Sequence, residues 1–67
     1  MNWDQIEGKW TELKGHAKEK WGELADDELD QIAGKKGQLV GKLQQSVGLA
    51  KEEAEKQADE FAAKCDC

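Results

Sequence analysis

Residues 4–9 read DQIEGK and residues 30–35 read DQIAGK, so the two segments agree at five of six positions. The same offset carries Leu13 onto Leu39, Gly15 onto Gly41 and Gly22 onto Gly48. A repeat this short indicates that one supersecondary unit is used twice, and that neither copy can bury its apolar face alone. The sequence therefore predicts that the two halves of the chain pack on each other.

In both copies of the repeat and in the segment that follows them, apolar residues recur at the three- and four-residue spacing of an α-helix. No stretch of the sequence alternates between apolar and polar residues like a strand. We therefore expect an all-α chain in which each segment buries one apolar stripe. The second stripe is interrupted only by Lys36, whose aliphatic stem can lie along the apolar surface while its ammonium group stays in water. The predicted stripes are Trp3, Ile6, Trp10, Leu13, Ala17, Trp21 and Leu24; Leu29, Ile32, Leu39, Val40, Leu43 and Val47; and Ala54, Ala58, Phe61 and Ala62.

The glycines allow two interpretations. In the first, Gly22 and Gly48 are helix C-caps, and Gly34 and Gly37 break the second stripe into two shorter helices. In the second, the glycines opposite each stripe form a seam that another backbone approaches closely, or they keep the helices weak, because each glycine inside a helix costs about 1 kcal/mol relative to alanine. Behind Gly22 a helix restarts with an acidic first turn, where Asp26 can serve as an N-cap, whereas Ala50, behind Gly48, cannot.

The chain of 67 residues has a net charge of -5, a pI near 4.8 and a mean hydropathy of -0.92. Its size and composition exclude a deep-pocket enzyme, several domains and a membrane span. Its ten basic residues are all lysine, which together with the acidic balance makes nucleic acid a poor partner. The alternative function is weak nucleic-acid binding through a local patch of Lys35, Lys36 and Lys42. The polar N-terminus lacks a signal-like apolar stretch, which favours a cytoplasmic protein.

Few residues could carry chemistry. His16 has no second histidine with which to bind zinc, and Thr11 and Ser46 lack a nucleophile–base motif. We therefore predict no catalytic residue, no cofactor-binding residue and no metal ligand, and hence no enzyme. Residues 65–67, with Cys65 and Cys67, are expected to be a flexible tail; the alternatives are a soft-metal site shared by two chains or intermolecular disulfides.

The three tryptophans lie between Trp3 and Trp21 at helical spacing. They are most simply the anchors of a small core. The alternative is an amphipathic helix on a membrane surface, with lysines on its other side. Acidic residues of the same segment leave no basic excess there, which disfavours membrane docking. The lysines are Lys9, Lys14, Lys18 and Lys20, and the acidic residues are Asp4, Glu7, Glu12, Glu19 and Glu23.

Ordered Gly-Lys pairs and tryptophans across residues 2–61 make the chain similar to the CsbD-like family of small bacterial stress-response proteins. The resemblance implies a helical domain of two packed α-hairpins, with three to four helices over residues 1–64, and it implies no catalytic residue. The matching motifs are Gly8-Lys9-Trp10, Leu13-Lys14-Gly15, Lys18-Glu19-Lys20-Trp21-Gly22, Asp26-Asp27, Gly34-Lys35, Gln38-Leu39-Val40-Gly41-Lys42, Gly48 and Lys51-Glu52-Glu53-Ala54-Glu55-Lys56.

These observations together favour a cytoplasmic stress protein without catalytic activity. It would act as a soluble protective module, or as a helical module that docks an unidentified protein partner. A monomer or a weak dimer is expected.

Overall fold

The computed structural model describes residues 2–64, which form an all-α domain with extents of 26 × 23 × 18 Å. The described residues contain no strand, so the prediction of an all-α fold is confirmed. Cys65 and Cys67, and with them the predicted tail, lie outside the described residues. The elements are α1 (Trp3–Gly8), α2 (Trp10–Lys20), α3 (Asp26–Ile32), α4 (Lys36–Lys42), a π-helical segment (Leu43–Val47) and α5 (Lys51–Lys64).

These elements make four helical arms. Helices α1 and α2 meet at Lys9, whose N–H donates to the carbonyl of Gln5 at 3.0 Å and whose own carbonyl accepts from the N–H of Leu13 at 3.0 Å. The π-helical segment continues α4 without a gap. The arms α1–α2, α3, α4–π and α5 pack in chain order, α2 on α3, α3 on α4 and α4 on α5. The five α-helices thus exceed the predicted three to four, while the number of arms agrees with two α-hairpins.

The sequence repeat is visible in the helix boundaries. Trp10 is the first residue of α2, and Lys36, at the equivalent position of the second copy, is the first residue of α4. The residue before each, Lys9 or Lys35, is the N-cap in both copies. The second helix of each copy, α2 or α4, therefore starts at the same position of the repeat.

The joint before that helix differs between the copies. Lys9 has a φ of -112°, and the chain passes from α1 to α2 without a left-handed residue. In the second copy Ala33 and Gly34 have φ values of 53° and 78°, so the chain turns between α3 and α4. Gly34 lies against α1, where a Cβ atom would come within 2.7 Å of the Cα of Glu7. The same motif therefore makes a direct junction between α1 and α2 in the first copy. In the second copy it makes a turn that packs on α1.

Several predictions about helix ends are corrected. Gly48 is confirmed as a C-cap, with a φ of 83°, and Gly34 does break the second stripe. Gly22 is not a C-cap, because α2 ends earlier with Trp21 as its cap. Gly37 breaks nothing, since it is the second residue of α4. The N-cap of α3 is Ala25 rather than Asp26.

The N-cap of α3 lies one residue earlier than Asp26 because the backbone N–H of Ala25 donates a hydrogen bond to a side chain of the helix. The carboxylate of Glu28 accepts from the backbone N–H of Ala25 at 3.0 Å. Ala25 therefore has the extended backbone of an N-cap although its side chain offers no acceptor. The seam opposite the stripes is also only partly right, because Gly34 is buried while Gly8, Gly15 and Gly22 are exposed.

The core contains only residues that the helical spacing predicts. Of the predicted stripes, Trp3 and Val47 are only partly buried; both pack against the core, as does Leu49, which lies outside the stripes. At the centre, Phe61 of α5 contacts both buried indoles, with ring centroids 6.3 Å from Trp10 and 5.3 Å from Trp21. The buried residues are Ile6, Trp10, Leu13, Ala17, Trp21, Leu24, Leu29, Ile32, Leu39, Val40, Leu43, Ala54, Ala58, Phe61 and Ala62.

Candidate functional surface

The surface of the domain is polar. No large hydrophobic side chain among residues 2–64 is exposed, and no polar or charged side chain there is classed as buried. Large apolar side chains and charged side chains of the described residues are thus separated between the core and the surface. Any function of the described surface must therefore act through charge, hydrogen bonding or shape.

The indole N–H groups are used inside the fold. Trp10 Nε1 donates to the carbonyl oxygen of Leu29 at 2.7 Å, which ties α2 to α3. Trp21 Nε1 donates to Gln57 Oε1 at 2.7 Å, which ties the end of α2 to α5. The prediction that tryptophans anchor the core is confirmed for Trp10 and Trp21, and both indoles are therefore not free for a membrane surface.

Two ion pairs connect neighbouring arms at the surface. Lys14 Nζ lies 2.8 Å from Asp30 Oδ1, between α2 and α3, and Lys36 Nζ lies 2.8 Å from Asp59 Oδ1, between α4 and α5. The hydrogen bond to Asp30, with the charge of that carboxylate, raises the pKa of Lys14 above its usual value. Each pair leaves a large part of both side chains in water, so each contributes little to stability.

Ser46 and Glu28 form a contact that sequence reasoning missed. The hydroxyl of Ser46, in the π-helical segment, donates to the Glu28 carboxylate, which also accepts from the N–H of Ala25. The bond from Ser46 is the main cause that lowers the pKa of Glu28, and the N–H of Ala25 adds to it. A carboxylate held in its charged form is a weak base, so this pair ties α3 to the π-helical segment rather than activating a nucleophile. The two residues are distant in sequence, and no local motif announces them.

The lysines proposed as a basic patch are compensated by neighbouring acids. Lys36 pairs with Asp59, and Lys42 is close enough to Glu28 for its charge to lower the pKa of that carboxylate. Lys35 is exposed at the N-cap of α4. A phosphate approaching this side of α4 therefore meets carboxylates as well as ammonium groups, which weakens its attraction.

Residues that could hold a metal ion do not come together in the part of the chain that the structure describes. No group of three or more His, Cys, Asp or Glu side chains has the geometry of a metal site within residues 2–64. His16 is exposed on α2. None of the helices formed by these residues has both the length and the apolar character needed to cross a bilayer.

A shallow groove runs between α2 and α3, with a volume of about 510 Å³. Both acidic and basic groups line it, and Lys14 and Asp30 already neutralise each other. It therefore has no clear preference for an anion or a cation. The lining residues are Thr11, Glu12, Lys14, Gly15, Lys18, Asp26, Leu29 and Asp30.

Comparison with known proteins places the chain in a family. The CsbD-like family model matches residues 4–56. A UPF0337 protein of Nitrosomonas europaea is 56% identical over 66 residues, which are 98% of this chain and 70% of that protein. A UPF0337 protein of Rhodopirellula baltica is 57% identical over 67 residues, covering 100% of this chain and 98% of its own length. The UPF0337 protein YjbJ of Escherichia coli K12 is 49% identical over 57 residues, or 85% and 83% of the two chains. The chain therefore belongs to the CsbD-like family.

Proposed function

We propose that this protein is a non-catalytic stress protein of the bacterial cytoplasm that protects other macromolecules by its hydrated, charged surface. The proposal treats residues 1–64 as the functional domain and the protein as a monomer or weak dimer. The observation that carries it is the complete or partial burial of the large hydrophobic side chains among residues 2–64. Membership of the CsbD-like family, whose relation to stress the sequence resemblance implies, adds to it.

A hydrated, charged surface keeps molecules apart at high concentration. Like-charged, well-hydrated molecules repel one another and stay soluble when solutes or drying concentrate the cell. With a net charge of -5 on 67 residues, the protein meets this condition. Without an exposed apolar patch in the described part of the chain, it has no hydrophobic surface on which to hold an unfolded client. Protection would therefore come from separating clients, with no tight complex.

A client-protection assay tests this mechanism. A labile enzyme is dried and rehydrated with increasing amounts of the protein, and its remaining activity is compared with that in an equal mass of a folded, neutral control protein. We expect preservation that grows with concentration and needs no stoichiometric complex. Preservation no better than with the control would refute the mechanism, and saturation at a one-to-one ratio would favour the partner-docking form of the module instead.

Matched charge variants make the assay sharper. Changing Glu19, Glu52 and Glu60, all exposed, to glutamine moves the net charge from -5 to -2, since each change removes one negative charge. Changing exposed Lys9, Lys20 and Lys56 to glutamine moves it from -5 to -8 by the same count. We expect the first variant to protect less well than the second. Equal protection by both would show that surface charge is not the cause.

Nucleic-acid binding stays as the alternative function, and a gel shift tests it directly. Binding through Lys35, Lys36 and Lys42 would be strongest at low salt, where counterion release favours it most. Since Lys36 is paired with Asp59 and Lys42 is near Glu28, we expect no shift even there. A salt-dependent shift that Lys35→Gln weakens would favour this alternative over protection.

A further inference from the structure

Five of the seven glycines are not required by the backbone. Gly34 and Gly48 have φ values of 78° and 83°, which side chains rarely tolerate. A Cβ atom built on any of the other five would meet nothing within 4 Å, and none of them has a positive φ. Alanine would therefore fit at each of these places without displacing a neighbour. The five are Gly8, Gly15, Gly22, Gly37 and Gly41.

Two of these glycines weaken equivalent helices of the repeat. Gly15 is in the middle of α2, and Gly41, its counterpart in the second copy, is in α4 just before the π-helical segment. Relative to alanine, a glycine inside a helix lowers the folding equilibrium constant about fivefold. Together the two lower it by about 25-fold, if their effects are independent.

Helix starts supply a second, independent weakness. Helices α2, α3 and α4 have Lys9, Ala25 and Lys35 as N-caps, and none of these residues makes a side-chain hydrogen bond to its helix. By contrast, the side chain of Asn2 caps α1. Replacing a serine or threonine N-cap by alanine typically lowers the folding equilibrium constant about fivefold. At Ala25 the backbone is already extended and the Glu28 carboxylate already reaches back, so only the hydroxyl is missing.

Two features of the described fold limit how far its buried contacts offset these losses. Four of the fifteen core residues are alanines, which bury little apolar surface. The two ion pairs that join the arms are largely exposed to water. Domains of this size have a small margin of stability even with good caps and no helix glycines.

We propose that Gly15, Gly41 and the uncapped start of α3 hold this protein close to its folding midpoint, so that the folded fraction rises when excluded solutes accumulate. Solutes excluded from protein surfaces strengthen burial and so favour the folded chain. The fold would thus act as a sensor of solute concentration. This inference rests on the proposed function and deepens it by stating when the compact, charged form is present.

Hydrogen exchange and circular dichroism of the full chain at physiological temperature test the proposal. Without added solute we expect an unfolded population above about one molecule in ten, which sucrose or trimethylamine N-oxide suppresses. Gly15→Ala with Gly41→Ala should raise the folding constant about 25-fold, and Ala25→Ser should raise it about fivefold. In each of these variants, the folded fraction should therefore rise less when solute is added than it does in the unmodified protein. Gly48→Ala, at a positive φ, is the control and should shift the equilibrium in the opposite direction.

Two results would overturn the proposal. One is an unfolded population of the unmodified protein below about one in ten in dilute buffer. The other is an unchanged folding constant in both the double-alanine variant and Ala25→Ser. The client-protection assay separates this idea from the proposed function. If the double-alanine variant protects equally well at every solute level, solute control is wrong while protection stands; if neither protein protects, the proposed function fails independently of the exchange result.

Discussion

Replacing Gly34 by alanine should destabilise the domain more than any other glycine substitution. The new Cβ would lie 2.7 Å from the Cα of Glu7, 3.0 Å from its nitrogen and 3.0 Å from the carbonyl oxygen of Ile6, all of them backbone atoms that cannot rotate away. Relieving that overlap costs about 1–3 kcal/mol. The left-handed backbone at Gly34 adds about 1–2 kcal/mol for any residue with a side chain.

The expected total is about 2–5 kcal/mol. A domain of this size has roughly 3–5 kcal/mol of stability at most, so Gly34→Ala should be largely unfolded in dilute buffer. Gly48→Ala is the matched control, because its φ of 83° carries the same backbone cost while its Cβ would meet nothing within 4 Å. It should lose only about 1–2 kcal/mol.

Urea denaturation followed by tryptophan fluorescence measures both variants, since Trp10 and Trp21 are buried. Trimethylamine N-oxide, added at the same concentration to the unmodified protein and to both variants, gives each of them a folded baseline. The difference between the two variants isolates the contact of the turn with α1. Equal losses in Gly34→Ala and Gly48→Ala would refute the close approach of Gly34 to Glu7.

Three further changes test the core, the surface and the α3 contact. Phe61→Ala removes the ring that contacts both indoles and should cost about 3–5 kcal/mol, leaving little helical signal in circular dichroism; a cooperative melt near that of the unmodified protein would contradict this. Lys36→Ala breaks the exposed pair with Asp59 and should lower the free energy of unfolding by less than about 1 kcal/mol, and a larger loss would mean that the pair is shielded from water. Because the pKa of Glu28 is lowered in the folded chain, its contribution is present above the usual pKa of 4.5 and is lost as the pH falls through the lower folded value. Thermal melts from neutral to acidic pH should therefore show that the gap between the unmodified protein and Glu28→Gln narrows on acidification, and a constant gap would argue against the charged contact with Ser46.

Local periodicity predicts much of this fold because burial on a helix depends on spacing that a single segment contains. The three stripes identify every buried hydrophobic residue of the described chain, and the equivalent starts of α2 and α4 follow from the repeat. The connections between α1 and α2 and between α3 and α4 do not follow from the repeat. The same motif passes through Lys9 without a left-handed residue and turns at Ala33 and Gly34, and the difference depends on packing against α1 that no local pattern encodes.

The candidate surface is less predictable than the core. The partners of the indole N–H groups, Leu29 and Gln57, and the link from Ser46 to Glu28 are distant in sequence, so spacing rules do not reach them. Polar side chains on a helix face offer many alternative partners, and the tertiary fold selects among them. The sequence predicts that the surface is polar but does not say which groups neutralise one another.

The contacts of Phe61 have a consequence for how the chain is made. Its two aromatic partners are Trp10 in α2 and Trp21 at the end of that helix, and the whole of α3, α4 and the π-helical segment is made between Trp21 and Phe61. At the usual rates of protein synthesis, about 2–8 s pass between the addition of Trp21 and that of Phe61, and Trp10 is added earlier still. The core of the nascent chain is therefore open until Phe61 has been made, and a stop in α5 before Phe61 yields a product that cannot complete the contacts of both indoles.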